Sequence, residues 1–197
     1  MTRVLITGAD GFIGSGILEY LLEHTAWHFV ALCSWRHHGS PLNITPNSRV
    51  DVLTHDLTGP LPEIGEFDYI LNLASESHVD RALADPIPFI ENNVSLMLQM
   101  LEYARKHKPQ AFIQFSTDEV YGDWEHKEWD LLLPSGPYGS SKAAQEVICI
   151  GHWRAYDLPI VITNSNNIVG PRQNPEKFVP KIIQLIKAGQ EVQVHLA

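Results

Sequence analysis

The chain has 197 residues, a net charge of −9, 44% hydrophobic and 19% charged residues, which suits one globular domain with a sizeable core. The acidic balance argues against general binding to nucleic acid or to an anionic membrane surface, and no apolar run approaches the ~18 residues that a membrane helix requires. Cys33 and Cys149 sit on apolar runs and read as reduced core residues suited to the cytoplasm, and the start at Met1 reads as a strand, not a signal peptide.

Short apolar runs alternate with longer helical stretches. Arg3–Thr7 reads as a first strand. Phe12–His24 reads as a helix, with Ile13, Ile17, Leu18, Leu21 and Leu22 on one face. Phe29–Cys33, Arg49–Leu53 and Tyr69–Ala74 read as the next three strands. Pro88–His107 is a long helix ended before Pro109. Ala111–Ser116 is a fifth strand, Ser140–Tyr156 a helix, Ile160–Asn164 a sixth strand, and Pro175–Ala188 a helix stopped by Gly189. This alternation predicts an α/β fold: a doubly wound parallel sheet with helices on both faces. The helices 88–107 and 140–156 carry more than one apolar stripe. A second stripe needs a second partner, which predicts a homodimer through them, the alternative being burial under loops of the same chain. The end, Glu191–Ala197, alternates like a strand; either the chain is a fragment, or it is a short form that exposes or pairs this edge.

Thr7-Gly8-Ala9-Asp10-Gly11-Phe12-Ile13-Gly14 follows the first strand and opens the first helix. Gly8 allows a tight turn, Gly11 a close approach of backbone to a pyrophosphate, and Gly14 close packing of helix on sheet. The helix N-terminus offers free N–H groups and partial positive charge to phosphates. The same glycines in a turn without a ligand are the bland alternative, which the strand–turn–helix context argues against. Cofactor contacts are therefore expected from Gly8, Asp10, Gly11, Phe12, Ile13 and Gly14, with Leu73 and Ala74 beside them. NAD binders commonly place an acid at the end of the second strand. Here Ser34-Trp35-Arg36 stands instead. Ser34 and Arg36 suit a 2′-phosphate, so the reading leans to NADP over NAD, unless Arg36 is a solvated charge or stacks on adenine. Asp56 and Leu57, after the third strand, are placed beside the adenine.

Lys142 follows Tyr138 by one helical turn, on the same face. Its ammonium would lower the tyrosine pKa and bond the nicotinamide ribose, leaving Tyr138 to accept a hydroxyl proton while hydride leaves for the cofactor. Thr117, Asp118 and Glu119 end the fifth strand, where an open parallel sheet forms its ligand crevice. Adjacent carboxyls there can serve as separate acid and base when their environments push their pKa values apart; the bland reading caps a helix or faces water with them. The chain has 10 histidines, yet no spacing reads as a metal site, the adjacent His37 and His38 included.

Together these residues resemble the extended short-chain dehydrogenase/reductase family and, within it, the nucleotide-sugar 4,6-dehydratases of the dTDP-glucose type. The markers are the glycine loop, Leu71 to Arg81, Ser116 to Gly122, Tyr138 to Lys142, Asn164 to Asn167, Gly170-Pro171 and Pro175 to Pro180. The resemblance implies that Tyr138 takes the C4 hydroxyl proton, Lys142 tunes Tyr138, Thr117 bonds near the C4 oxygen, Glu119 removes the C5 proton, and Asp118 protonates the leaving C6 hydroxyl. It implies that Ser77 and His78, with Glu76, border the sugar, that Asn166 and Asn167 contact the phosphates of a nucleotide-sugar substrate, and that dimers form through the two doubly apolar helices. Three departures stand out. The second strand lacks its acid, the stretch from Gly122 to Tyr138 is shorter than usual, and the family continues past this point with a substrate-binding lobe. The chain thus reads as a dinucleotide-binding and catalytic domain with that lobe absent or truncated. A nucleotide-sugar 4-epimerase and a non-catalytic dinucleotide-binding protein are the alternatives.

Overall fold

A computed structural model describes residues 1–36 and 39–192. The chain runs β1 (Arg3–Thr7), α1 (Phe12–His24), β2 (His28–Cys33), β3 (Val50–Thr54), β4 (Tyr69–Asn72), α2 (Val79–Ala84), α3 (Pro86–His107), β5 (Ala111–Thr117), α4 (Pro137–Tyr156), β6 (Ile160–Ser165) and α5 (Phe178–Lys187), with short 3₁₀ turns at Pro41–Asn43 and Asp118–Val120. The strands form one parallel sheet in the order β3-β2-β1-β4-β5-β6. Parallel neighbours need crossovers, and the helices supply them on both faces. In β1, Val4 and Ile6 pack on one side with Leu18, Phe29 and Ala31, against α1. Leu5 points to the other side, with Ile70, Phe112, Met97, Met100, Leu101 and Cys149, under α3 and α4. A strand covered on both faces is therefore apolar throughout, and the doubly wound sheet expected from the sequence is present.

The strand order reverses between β1 and β4, and there the loops that follow the two strands meet. Gly8 has φ +63°, and a Cβ on it would lie 3.1 Å from backbone atoms of Ala74. A Cβ on Gly14 would lie 2.2 Å from the Gly8 carbonyl oxygen, so α1 can sit this close to the turn only with hydrogen at that position. β4 ends at Asn72, two residues before the expected Ala74. The amides of Leu73 and Ala74 donate to Thr7 Oγ1 at 3.1 and 3.0 Å and leave the ladder.

The other differences have local causes. α4 starts at Pro137, three residues before the expected Ser140, because proline is tolerated in a first helical turn. α5 starts at Phe178 and not at Pro175: Asn174 Oδ1 accepts the Glu176 amide at 3.1 Å and holds a turn there. α2 was not expected; its N-cap is His78, whose Nδ1 accepts the Arg81 amide at 3.3 Å. Of the terminal segment, Glu191 and Val192 lie in no strand; residues 193–197, like His37 and His38, lie outside the described residues. The apolar faces of α3 and α4 partly answer each other, since the two helices pack side by side within the chain. Leu98, Val147, Trp153 and Tyr156 remain exposed on them. Cys33 and Cys149 are buried free thiols.

Candidate active site

A cavity of about 380 Å³ opens at the carboxyl ends of β1, β4, β5 and β6, the place where the reversal of strand order leaves a crevice. Every site residue expected from the sequence lines it except Asp118. One wall is the glycine turn and the start of α1, whose N-cap, Gly11, supplies no side chain to the first amides of the helix. Asp10 is buried and spent on structure: its Oδ2 accepts the Trp35 amide at 3.0 Å, and its carbonyl accepts from Asn43 Nδ2 at 2.7 Å. It fixes the loop after β2 that carries Ser34 and Arg36. Arg36 Nη2 meets Asp56 Oδ2 at 2.7 Å, both groups half-exposed. The Thr58 amide, bonded to Asp56, holds that carboxyl below its ordinary value, helped by the Thr58 hydroxyl and the Arg36 charge.

The opposite wall carries the acid–base groups. Thr117 closes β5 and starts the 3₁₀ turn by accepting the Glu119 amide on its Oγ1 at 3.3 Å. Glu119 opens onto the cavity, where desolvation by the walls and then the charge of Asp118 raise its pKa. Asp118 is half-buried, and its Oδ1 accepts from the Thr117 hydroxyl at 3.2 Å. Tyr138, in the first turn of α4, stands edge-on to Phe89 with ring centroids 6.2 Å apart. Burial and then the Glu119 charge push its phenol above the ordinary tyrosine value, opposed by a hydrogen bond with Thr117. Lys142, 4% exposed, donates to the Phe115 carbonyl at 2.6 Å, and burial pulls its ammonium down to about 8. The sequence reading had Lys142 lowering the phenol; in the structure the main local influences raise it, and the ammonium is engaged by β5.

The segment after β6 crosses the mouth of the cavity. Arg172 Nη2 binds Glu19 of α1 at 2.6 Å, while His78 Nε2 meets Glu176 at 2.9 Å and Lys177 Nζ donates to the Ser77 carbonyl at 3.2 Å. Asn166 and Asn167 stand at its start, on the cavity. Arg81, Arg172 and Lys177 also line the cavity and were not singled out from the sequence. Lys177 lies in the run Pro175 to Pro180, which marks the family resemblance without assigning it a role; Arg172 sits beside the marked Gly170-Pro171 without a pattern of its own.

A parallel sheet of this order, with a glycine turn at its crossover, defines a Rossmann-type fold. Residues 4–196 match the NAD dependent epimerase/dehydratase family, and the chain belongs to that family. It is similar to the low-salt glycan biosynthesis protein Agl12 of Haloferax volcanii, at 37% identity over 98% of this chain and 65% of that protein. Among solved structures it is similar to DesIV, a dTDP-glucose 4,6-dehydratase from Streptomyces venezuelae with NAD bound, at TM-score 0.89 and 32% identity over 95% of this chain and 63% of that one. A UDP-glucuronic acid 4-epimerase from Bacillus cereus in complex with NAD has TM-score 0.87 at 28% identity, over 96% of this chain and 63% of that one. The chain thus spans less than two thirds of the length of these relatives.

Proposed function

We propose that the chain carries the cofactor-binding and acid–base machinery of a nucleotide-sugar 4,6-dehydratase. The cradle suits a dinucleotide: only glycine at positions 8 and 14 lets the turn pack this tightly against Ala74 and α1, the N-cap of α1 supplies no side chain to its first amides, and a crevice lined by both glycines stands at the switch point. Gly8 to Gly14 would hold the pyrophosphate, Ser34, Arg36, Asp56 and Leu57 the adenosine, and Leu73, Ala74, Tyr138 and Lys142 the nicotinamide end. When bound, the nicotinamide ring supplies a hydride acceptor and donor for the sugar. Tyr138 takes the C4 hydroxyl proton, with Thr117 beside the C4 oxygen. Glu119 removes the C5 proton, which a C4 ketone makes acidic; a carboxylate held above its ordinary value is the stronger base for that step. Asp118 turns from Thr117 to protonate the departing C6 hydroxyl. Ser77, His78, Asn166 and Asn167 line the space left for the sugar and its phosphates. A second copy would pack on the exposed Leu98, Val147 and Trp153 of α3 and α4.

The observation that carries this reading is Glu119 on the same cavity as Tyr138, where its charge adds to burial in raising the phenol's pKa. The test is incubation with a nicotinamide dinucleotide and a panel of nucleotide sugars, followed by mass analysis. A 4-keto-6-deoxy product is expected, lost at least 100-fold in Asp118→Asn and Glu119→Gln. Full activity in the double variant overturns the reading. A 4-epimerase is the second reading, favoured by the place of Asp118 outside the cavity lining, because epimerisation needs Tyr138 and Lys142 without the acid pair. Its product keeps the substrate mass.

A further inference from the structure

The catalytic helix carries a buried carboxylate, Glu146, that the scheme above leaves without a task. Glu146 stands one turn beyond Lys142, as Lys142 stands one turn beyond Tyr138, so the three share one face of α4. Glu146 is 5% exposed. Its Oε1 accepts from the Ser116 hydroxyl of β5 and, at 2.7 Å, from Asn164 Nδ2 of β6. Phe115, the neighbour of Ser116, gives its carbonyl to Lys142 at 2.6 Å. Consecutive residues of β5 therefore grip consecutive polar turns of α4, and Asn164 ties the same carboxylate to the next strand. A carboxylate and an ammonium buried this deeply are retained when each is hydrogen-bonded and compensates the other.

We propose that Glu146 is a positioning residue for Lys142: a buried carboxylate that supplies the counter-charge to the ammonium and clamps the catalytic helix to the ends of β5 and β6. The inference rests on the site read above as a dehydratase, where Lys142 would hold the nicotinamide end of the cofactor. The ionisable groups in the cluster are few. From α4 come Lys142 and Cys149, whose thiol burial raises to about 12. From the turn after β5 comes Tyr121, whose phenol burial raises first and Glu146 raises further. The strands present the neutral Ser116 and Asn164. Burial alone drives Lys142 toward the neutral amine near physiological pH, and the negative charge of Glu146 is the main influence opposing it.

The chain without any ligand suffices for the test. Lysine side chains labelled with ¹³C report the titration of Lys142 by NMR, its signal assigned by its loss in Lys142→Met. Glu146→Gln keeps an acceptor for Ser116 and Asn164 but removes the charge. The Lys142 midpoint is expected to fall by about one unit or more, and Glu146→Asp to restore part of it. An unchanged midpoint in a folded Glu146→Gln overturns the proposal. Should that variant fail to fold, the wild-type chain still decides: ¹³C-carboxyl labelling must show Glu146 ionised through the range in which Lys142 titrates, and a protonated Glu146 there overturns it. Neither readout depends on turnover, so this proposal and the dehydratase reading fail separately.

Discussion

Arg36 and Asp56 face each other across the rim where the adenosine of a dinucleotide would lie, 2.7 Å apart. A 2′-phosphate must compete with that carboxylate for the guanidinium, whereas a 2′-hydroxyl need not, so the pair tempers the preference for NADP read from Ser34 and Arg36. With both groups half-exposed the pair is worth at most about 1 kcal/mol. Asp56→Asn should therefore raise the affinity for NADP relative to NAD by about three- to fivefold, measured by calorimetric titration of each. A ratio unmoved by the substitution would show that Arg36 does not meet the 2′ position. Each of these residues was visible in the sequence, because each lies just past the end of a strand. Their pairing was not, since it depends on β2 and β3 lying side by side. The same limit explains Asp118: the spacing of Thr117, Asp118 and Glu119 announces an acid pair, but only the 3₁₀ turn decides that Glu119 opens to the cavity while Asp118 bonds Thr117.

Between elements, the sheet carries a polar ladder through its apolar centre. Thr7, Asn72 and Gln114 stand in register on β1, β4 and β5. Thr7 donates to Asn72 at 2.8 Å, Asn72 to Gln114 at 2.7 Å, and Gln114 to Gln145 of α4 at 3.0 Å. Gln145 then donates to the Asn93 carbonyl of α3 at 2.7 Å, and Asn93 Nδ2 donates to Ser141 Oγ at 2.9 Å. The glycine turn and the catalytic helix are thereby joined by satisfied buried groups, an arrangement that specifies one relative placement. Gln145→Leu strands two partners in the core and should cost about 1–3 kcal/mol. Urea unfolding would show it as a lower midpoint at an unchanged slope; an unaltered midpoint would mean that the ladder carries no stability. The strands themselves were legible, because strands covered on both faces are apolar runs. The ladder was not: Asn72 and Gln114 interrupt those runs as isolated polar residues, Gln145 stands on α4, and their meaning appears only with the register. The short helix α2 escaped for a related reason, since its six residues are too few to show a period.

Across the whole molecule, all the expected site residues but Asp118 converge on a single crevice although they lie on both halves of the sheet. The doubly wound topology makes that convergence: the reversal of strand order brings the loops after β1, β4, β5 and β6 to one edge. The segment holding Arg172, Glu176 and Lys177 crosses that edge and ties α1 to the start of α2, a role no single motif in the sequence expressed. What separates a dehydratase from an epimerase in this shared frame is whether the carboxylate at Glu119 removes the hydrogen from C5. A base that takes that hydrogen exchanges it with solvent before the carbon is protonated again. The decisive measurement is therefore turnover of a nucleotide sugar in D₂O, with the product analysed by mass and NMR. The account predicts a product that has lost one water and carries deuterium at C5; substrate returned unchanged, or a product of the substrate's mass without deuterium at C5, would contradict it.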